Sequence, residues 1–221
     1  MKILAIIPAR GGSKGVPRKN LKELFGKPLI VHTIEQAKKS KLIDKIVVST
    51  EDPEIKKVAE EHKIEVIDRP KELATDDATT ESVIEDVINK VPGYNVIVLL
   101  QCTSPMRNKT DIDCAIRFFI YQQLDTIVSV KPSKSILWKR DSLFAHPITY
   151  KEGERPTQRQ DINLFEENGS IYVFYREKFL KEKSRICGFT GIYIMPEKRS
   201  IDIDTEEDFE YLEWKYGNNK N

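Results

Sequence analysis

Residues 96–100 read Val-Ile-Val-Leu-Leu and residues 3–7 read Ile-Leu-Ala-Ile-Ile, two short runs without a polar face. A strand with one side in water alternates apolar and polar residues, so a run without alternation must be covered on both sides. The segments between such runs carry a helical period instead. Ile30, Ile34 and Ala37 recur along one face after Pro28, Ile55, Val58 and Ala59 along Pro53 to Glu61, and Val83, Ile84, Val87 and Ile88 along residues 80–91. Asp111 to Gln122 reads as a further helix. Strand-like runs at 46–48, 64–67, 126–130, 170–174 and 189–195 complete a β-α-β-α alternation with short connections. That order predicts a three-layer α/β fold around a mostly parallel, Rossmann-like sheet. Such sheets place ligands outside the carboxyl ends of their strands, so the segments after residues 7, 49, 67, 100 and 130 are where chemistry is expected.

The rhythm breaks between Lys131 and about Glu167, where Pro132, Trp138, His146, Pro147, Gly153 and Pro156 interrupt any period. This reads as an inserted arm carrying hairpins, with residues 1–130 and 168–221 forming the core. A last helix starts near Thr205, where Thr205 and Asp208 have the spacing of a capping box with Asp in the usual Glu place.

Charge narrows the function. Thirty-six Lys+Arg stand against 35 Asp+Glu, a net charge of +1, which argues against a nucleic-acid binder. No apolar run nears the roughly 18 residues of a membrane span. The first run is cut at Pro8 and Arg10, too early for a secretion signal. The three cysteines, Cys102, Cys114 and Cys187, have neither zinc-ligand spacing nor an even number for pairing, and a cytoplasmic setting is expected.

Against that neutral background, residues 10–22 hold Arg10, Lys14, Arg18, Lys19 and Lys22 with no acid. Gly11, Gly12 and Gly15 interleave them and let backbone N–H groups turn toward an anion. Following the first buried strand, this loop is suited to cradle a polyphosphate. Neither GxxxxGK[ST] nor GxGxxG is present. Near the far end of the chain, Asp202 and Asp204 lie two apart on an extended stretch, so both carboxylates can face one side. Magnesium asks for little more than one or two carboxylates plus phosphate oxygens and water. Gln101, Thr103, Ser104 and Arg107 follow the most apolar strand and can hydrogen-bond a sugar. Arg69 can pair with a base carbonyl, and the small Ala74 and Ala78 would let a flat base approach the backbone.

Four segments together resemble one family. Ile7-Pro8-Ala9-Arg10-Gly11-Gly12-Ser13-Lys14-Gly15-Val16-Pro17-Arg18-Lys19-Asn20 is similar to the opening signature of the acylneuraminate cytidylyltransferases, the CMP-sialic acid synthetases. The similarity continues through Leu99 to Arg107, Asn168 to Tyr172 and Ile201 to Phe209, and so spans nearly the whole chain. Cys102 departs from the family, which usually has proline there. The resemblance implies a sheet of the nucleotidyltransferase type and magnesium-dependent transfer of CMP from CTP to the anomeric hydroxyl of a nonulosonic acid. It implies catalytic roles for Arg10, Lys14, Lys19, Asp202 and Asp204, the last two as metal ligands. Nucleotide contacts fall to Ala9, Arg10, Gly11, Gly12, Ser13, Asn20, Arg69 and Ala78. Sugar contacts fall to Thr80, Gln101, Thr103, Arg159, Asn168, Tyr172 and Phe189, with Arg159 matching the arginine assigned to the sugar carboxylate. It also implies a homodimer in which the 131–167 arm of each copy reaches the other's site. Neither nucleic acid nor membrane is an expected partner. Two alternatives stay open at this point: a Kdo or other sugar-acid acceptor, and a CTP-binding regulator without turnover.

Overall fold

The computed structural model describes residues 1–151, 153–154 and 164–217. The elements run β1 (Ile3–Pro8), β2 (Glu23–Leu24), β3 (Lys27–Pro28), α1 (Leu29–Lys39), β4 (Lys45–Thr50), α2 (Pro53–Glu61), β5 (Glu65–Asp68) and α3 (Thr80–Lys90). There follow β6 (Val96–Leu100), α4 (Lys109–Tyr121), β7 (Thr126–Ser133), β8 (Trp138–Asp141), β9 (Phe144–Pro147), β10 (Leu164–Tyr175), α5 (Arg176–Glu182), β11 (Thr190–Ile194) and α6 (Glu206–Leu212). Seven strands form the central sheet in the order β11-β7-β10-β6-β1-β4-β5. Of these seven, β10 alone runs antiparallel to its neighbours, β6 and β7; the others are mutually parallel.

The unpatterned apolar runs are explained by burial on both sides. Ile3, Ala5 and Ile7, with Val96, Val98 and Leu100, point into one core with Ile30 and Ile34 of α1, Ile55 of α2 and Phe119 of α4. Leu4, Ile6, Ile97 and Leu99 point into the opposite core with Ile84, Val87 and Ile88 of α3 and Phe179 of α5. Period-2 alternation of the backbone thus delivers successive side chains to two separate cores, and neither face tolerates a polar residue. The three-layer, mostly parallel fold expected from the sequence is what forms.

A third, smaller cluster sits beside the sheet. Val16, Leu24, Leu29, Ile203, Phe209 and Leu212 bury one another, so the basic loop, the start of α1 and the last helix share one anchor. The two-residue turn Phe25-Gly26, with φ of 52° and 74°, folds β2 onto β3 and delivers Leu24 to this cluster.

Two features were not read from the sequence. The helix α5 spans only seven residues and buries a single large apolar side chain, Phe179, too little for a periodic signal. The arm, moreover, grows out of core strands rather than beginning beside them: Leu164 to Glu167 of β10 pair with Ser133 to Val130 of β7 before the register slips between Glu167 and Tyr172. Beyond that root, β8 and β9 form a separate hairpin whose Trp138 and Phe144 are 57% and 81% exposed.

Candidate active site

Strand order reverses between β1 and β6: the chain goes from β1 outward through β4 and β5, then returns to place β6 on the other side of β1. A crevice opens at the carboxyl ends of such a switch. Here it is a cleft of about 310 Å³ lined from three segments: Pro8 to Asn20 after β1, Arg69 to Val83 after β5, and Gln101 to Thr103 after β6.

The basic loop owes its shape to acids beneath it. Gly11 donates its backbone N–H to Glu51 (2.7 Å), and a Cβ at Gly11 would overlap the Asp52 carboxylate. Arg18, at a left-handed φ of 56°, pairs with Asp52 and with Glu54 (3.0 Å). Asp52 also caps α2, accepting from the N–H groups of Glu54 (2.9 Å) and Ile55 (3.0 Å). Burial pushes the Asp52 carboxyl up, but the Ile55 N–H and Arg18 outweigh it and hold the group below the usual aspartate value. Asn20 lines the cleft and donates to the Arg10 carbonyl (3.0 Å), which tightens the loop from inside.

The five cations therefore divide. Arg18 and Lys22 are committed away from the cleft, Lys22 to Glu206. Arg10 and Lys14 meet at Asp76, at 2.9 and 3.0 Å. Lys19 crosses to the acidic stretch, donating to the Ile203 carbonyl (2.8 Å) and to Asp204 (3.2 Å). Gly15 lies so close to the Asp204 carbonyl that no Cβ fits there. Gly12 and Ser13 line the cleft, whereas Ala9 is buried and donates to the Ser49 carbonyl (3.0 Å).

Residues 202–204 are fastened to the loop after β6, with Ile203 N–H donating to the Thr103 carbonyl (2.8 Å). Loss of surrounding water pushes the Asp202 carboxyl up, and nearby Asp204 and Asp208 push the same way against Thr103 and Lys19. Asp208 is itself spent as the expected cap, accepting from the N–H groups of Asp204 (2.9 Å) and Thr205 (2.8 Å). Among the described residues no group of three or more His, Cys, Asp or Glu is arranged around a metal position. The pair Asp202 and Asp204 nevertheless suits a small hard cation: it offers two carboxylates, one of them short of water and crowded by like charge.

Arg69 is buried, its Nε and Nη2 donating to the Ser49 hydroxyl (3.2 Å) and carbonyl (2.7 Å), and it lines the cleft with Ala78 and Thr80. Gln101 and Thr103 line it from the β6 side. Cys102 also touches the cleft, but burial raises its thiol to about 12, so it packs rather than reacts. Arg107 is 1% exposed and donates to the Ser170 carbonyl (2.8 Å), the Gln101 carbonyl (2.8 Å) and the Thr33 hydroxyl (2.7 Å). It ties the loop after β6 to β10 and α1 instead of facing a ligand.

Three of the expected sugar contacts lie elsewhere. Asn168 is 3% exposed with its amide fully engaged: Oδ1 accepts from Ser129 (2.6 Å) and Nδ2 donates to Ser200 (2.9 Å). It binds β7, β10 and the approach to Asp202 together. Tyr172 points into the core with α3 and α5, donating to Glu167 (2.9 Å) under the Arg185 guanidinium. Phe189 lies at the amino ends of β7 and β11, beside Asp125, at the opposite end of the sheet from Gln101. Parallel strand direction makes the difference: a residue preceding β11 emerges at the end away from the cleft. Arg159 and Gln160 lie outside the described residues.

Comparison with known proteins bears directly on this arrangement. The sequence pattern of the cytidylyltransferase family matches residues 4–214, nearly the whole chain. The chain belongs to the cytidylyltransferase family. Among curated relatives it is 37% identical to the N-acylneuraminate cytidylyltransferase of Streptococcus agalactiae serotype V over 218 residues, 95% of this chain and 52% of that protein. It spans about half the length of such relatives. The pseudaminic acid cytidylyltransferase of Campylobacter jejuni is 30% identical over 98% of this chain and 97% of its own. A solved CMP-2-keto-3-deoxy-manno-octonic acid synthetase complexed with CTP superposes with a TM-score of 0.73, covering 96% of this chain and 97% of that one at 18% identity, a likeness of fold.

In this chain the acids under and over the basic loop, Glu51, Asp52 and Asp76, were not read from the sequence as site residues. The available signal was the charge itself. Five cations crowded into 13 residues need counterions from elsewhere in the chain.

Asp52 provides a test of the loop's support. Because its folded pKa is depressed, the stability it contributes is present above the ordinary aspartate range and is lost as pH falls through the folded value. Asp52→Ala is expected to lower urea-unfolding stability by about 1–2 kcal/mol at neutral pH. The gap to wild type should shrink as pH falls through the depressed folded value, where the wild-type carboxylate becomes protonated. A pH-independent gap would assign the loss to helix capping by geometry alone.

Proposed function

We propose that this chain transfers CMP from CTP to the anomeric hydroxyl of a nonulosonic acid, releasing pyrophosphate. The observation that carries this reading is a cleft lined by the basic glycine loop, Arg69 and Ala78 on one wall and Gln101 and Thr103 on another, with the 202–204 stretch fastened behind it through Lys19 to Asp204 and Ile203 to Thr103. Relatives at 30–37% identity are named for N-acylneuraminate and pseudaminic acid, which supports a nonulosonic acid over Kdo, whose synthetase shares the fold at 18% identity.

The anomeric oxygen forms a bond to the α-phosphorus as the bond from that phosphorus to the bridging oxygen of pyrophosphate breaks. The hydroxyl proton leaves to water. Arg10 and Lys14 receive the charge that builds on the departing phosphates, and the N–H groups near Gly12 and Ser13 add neutral donors. Lys19, held by the Ile203 carbonyl, stands between the phosphates and the acids. Arg69, its planar group fixed by Ser49, presents its remaining face to the base, and Ala78 leaves room for the ring. Gln101, Thr103 and Thr80 orient the acceptor, and Arg159 pairs with its carboxylate. Asn168 positions Asp202 through Ser200, and catalysis rests mainly on placement and charge. Asp202 and Asp204 would hold Mg²⁺, which when bound supplies Lewis-acid stabilisation of phosphate charge. None of the three histidines lines the cleft: His32 contacts the Leu24 carbonyl, His62 the Val58 carbonyl, and His146 lies in the arm.

We further place the protein as a homodimer joined through the arm, whose Trp138, Leu143, Phe144 and Ile148 have no local core to cover them. No helix among the described residues is long and apolar enough to cross a membrane, and the cysteines are free. Both facts, with the use of CTP, fit work in the cytoplasm.

The decisive assay is pyrophosphate release from CTP and magnesium across N-acetylneuraminic, legionaminic and pseudaminic acids and Kdo. One or more nonulosonic acids should support turnover, and Asp202→Ala should cut it to below about a tenth of wild type without loss of folding. CTP binding with silence across the panel would instead favour a regulator. Light scattering at micromolar concentration should give a dimer, and Phe144→Asp should shift it toward monomer; a wild-type monomer would refute the arm's role.

A further inference from the structure

Asp76 carries a contact that the reaction does not call for. Its two carboxylate oxygens are divided between two cations of the basic loop, Oδ1 on the cleft-lining Arg10 (2.9 Å) and Oδ2 on the exposed Lys14 (3.0 Å). Arg10 donates from its other terminal nitrogen to the Thr75 carbonyl (2.8 Å). A single anion bridging an arginine and a lysine above a glycine loop is the arrangement that a phosphate group would adopt there. The hydrogen bond from Lys14 holds the Asp76 carboxyl below its usual value, so the group is an anion at any pH at which the enzyme would work. The segment carrying it is continuous with Ala78 and Thr80, which line the same cleft.

We propose that Asp76 is a built-in competitor for the phosphate cradle, a residue that sets which anions the cleft accepts. This rests on the reading of the basic loop as the polyphosphate site. A ligand must displace the carboxylate from both cations to bind them. A short anion with only those contacts gains little by the exchange. CTP has base and ribose contacts to add, so it alone displaces Asp76 readily. When the nucleotide has been cleaved, the carboxylate returns to the cations and competes with the pyrophosphate left behind. Asp76 thus favours the whole nucleotide over its fragments and limits inhibition by the released product.

Asp76→Asn keeps the shape and removes the charge, with Asp76→Ser as a second variant should the amide make a new bond. Asp77→Asn is the control: it adds the same net charge one residue along, at an exposed side chain that makes none of the ion pairs found at the cradle. The measurement is binding of inorganic pyrophosphate by calorimetry without added metal, alongside CTP, on full-length folded protein. Asp76→Asn and Asp76→Ser should bind pyrophosphate about threefold tighter or more, with Asp77→Asn near wild type. Pyrophosphate should also become a stronger product inhibitor of the Asp76 variants in turnover. Unchanged or weaker pyrophosphate binding in both variants, with CTP still bound by wild type, overturns the competitor role and leaves the nucleotide site standing. An equal gain in Asp77→Asn overturns it too, since net charge alone would then be responsible. Loss of both ligands from wild type would remove the polyphosphate site itself, and this proposal with it.

Discussion

The structure depends on a tie made across 184 residues of sequence, from Lys19 to the Ile203 carbonyl and the Asp204 carboxylate. Around it Val16 packs with Ile203, and Gly15 meets the Asp204 carbonyl without room for a Cβ. A cationic loop and an acidic stretch attract one another regardless of geometry, but attraction through water is weak and nonspecific. The apolar cluster of Val16, Leu24, Leu29, Phe209 and Leu212 supplies direction, because burial fixes the backbones on both sides before the charges meet. The tie leaves the pair unbalanced in a useful way. Lys19 satisfies part of Asp204, while Asp202 stays short of both water and counter-charge.

β10 makes the second half of the site possible. An all-parallel sheet would send each loop at the carboxyl end into a helix. A strand running the other way between β6 and β7 instead brings its own early residues to that end. The register slip between Glu167 and Tyr172 falls there, with Gly169 at φ 64° beside the Asp202 carboxylate. Extra residues in one strand turn a side chain that would alternate outward into the core, and Asn168 is that side chain. Its amide joins Ser129 to Ser200, and Ser104 donates to its carbonyl (3.2 Å). Three segments, β7, the loop after β6 and the stretch leading to Asp202, are thereby referenced to one buried group.

Much of this was legible in the sequence. The two-sided apolar strands dictated a covered parallel sheet, and the sheet dictated which loops to inspect. Position after β1 marked the basic loop as a cleft-lining segment, which it is, and Thr205 with Asp208 forms the capping box that their spacing implied. The sugar contacts expected at Asn168, Tyr172 and Phe189 lie away from the cleft of this single chain for one shared cause. Asn168, Tyr172 and Phe189 are polar or aromatic residues in motifs resembling a family's site, and motif membership does not say which face of a strand, or which end, a side chain occupies. Alternation sends Tyr172 to the α3 face, and strand direction sends Phe189 to the far end. Arg107 shows the same limit: a buried guanidinium that gathers three backbone and hydroxyl acceptors reads in sequence like a ligand contact.

The remaining illegible part is the pairing of charge. A chain with 36 cations and 35 anions has almost no net field, so its function must come from local separation of the two signs. Separation costs free energy, and the fold limits that cost by giving every cation of the basic loop an acidic partner. Arg18 takes Asp52, Lys22 takes Glu206, Lys19 takes Asp204, and Arg10 and Lys14 share Asp76. These four acids come from three segments between residues 52 and 206, which no local window reveals. They also differ in how readily they let go. Asp52 is bound to the N–H groups of α2 and to Arg18 at once, so it cannot leave without uncapping a helix. Among the described residues Asp76 has no such second attachment; its carboxylate is held there by the cations it neutralises. A cationic loop that stays folded while empty, and opens to the polyphosphate proposed for it, requires this mixture of permanent and exchangeable counterions.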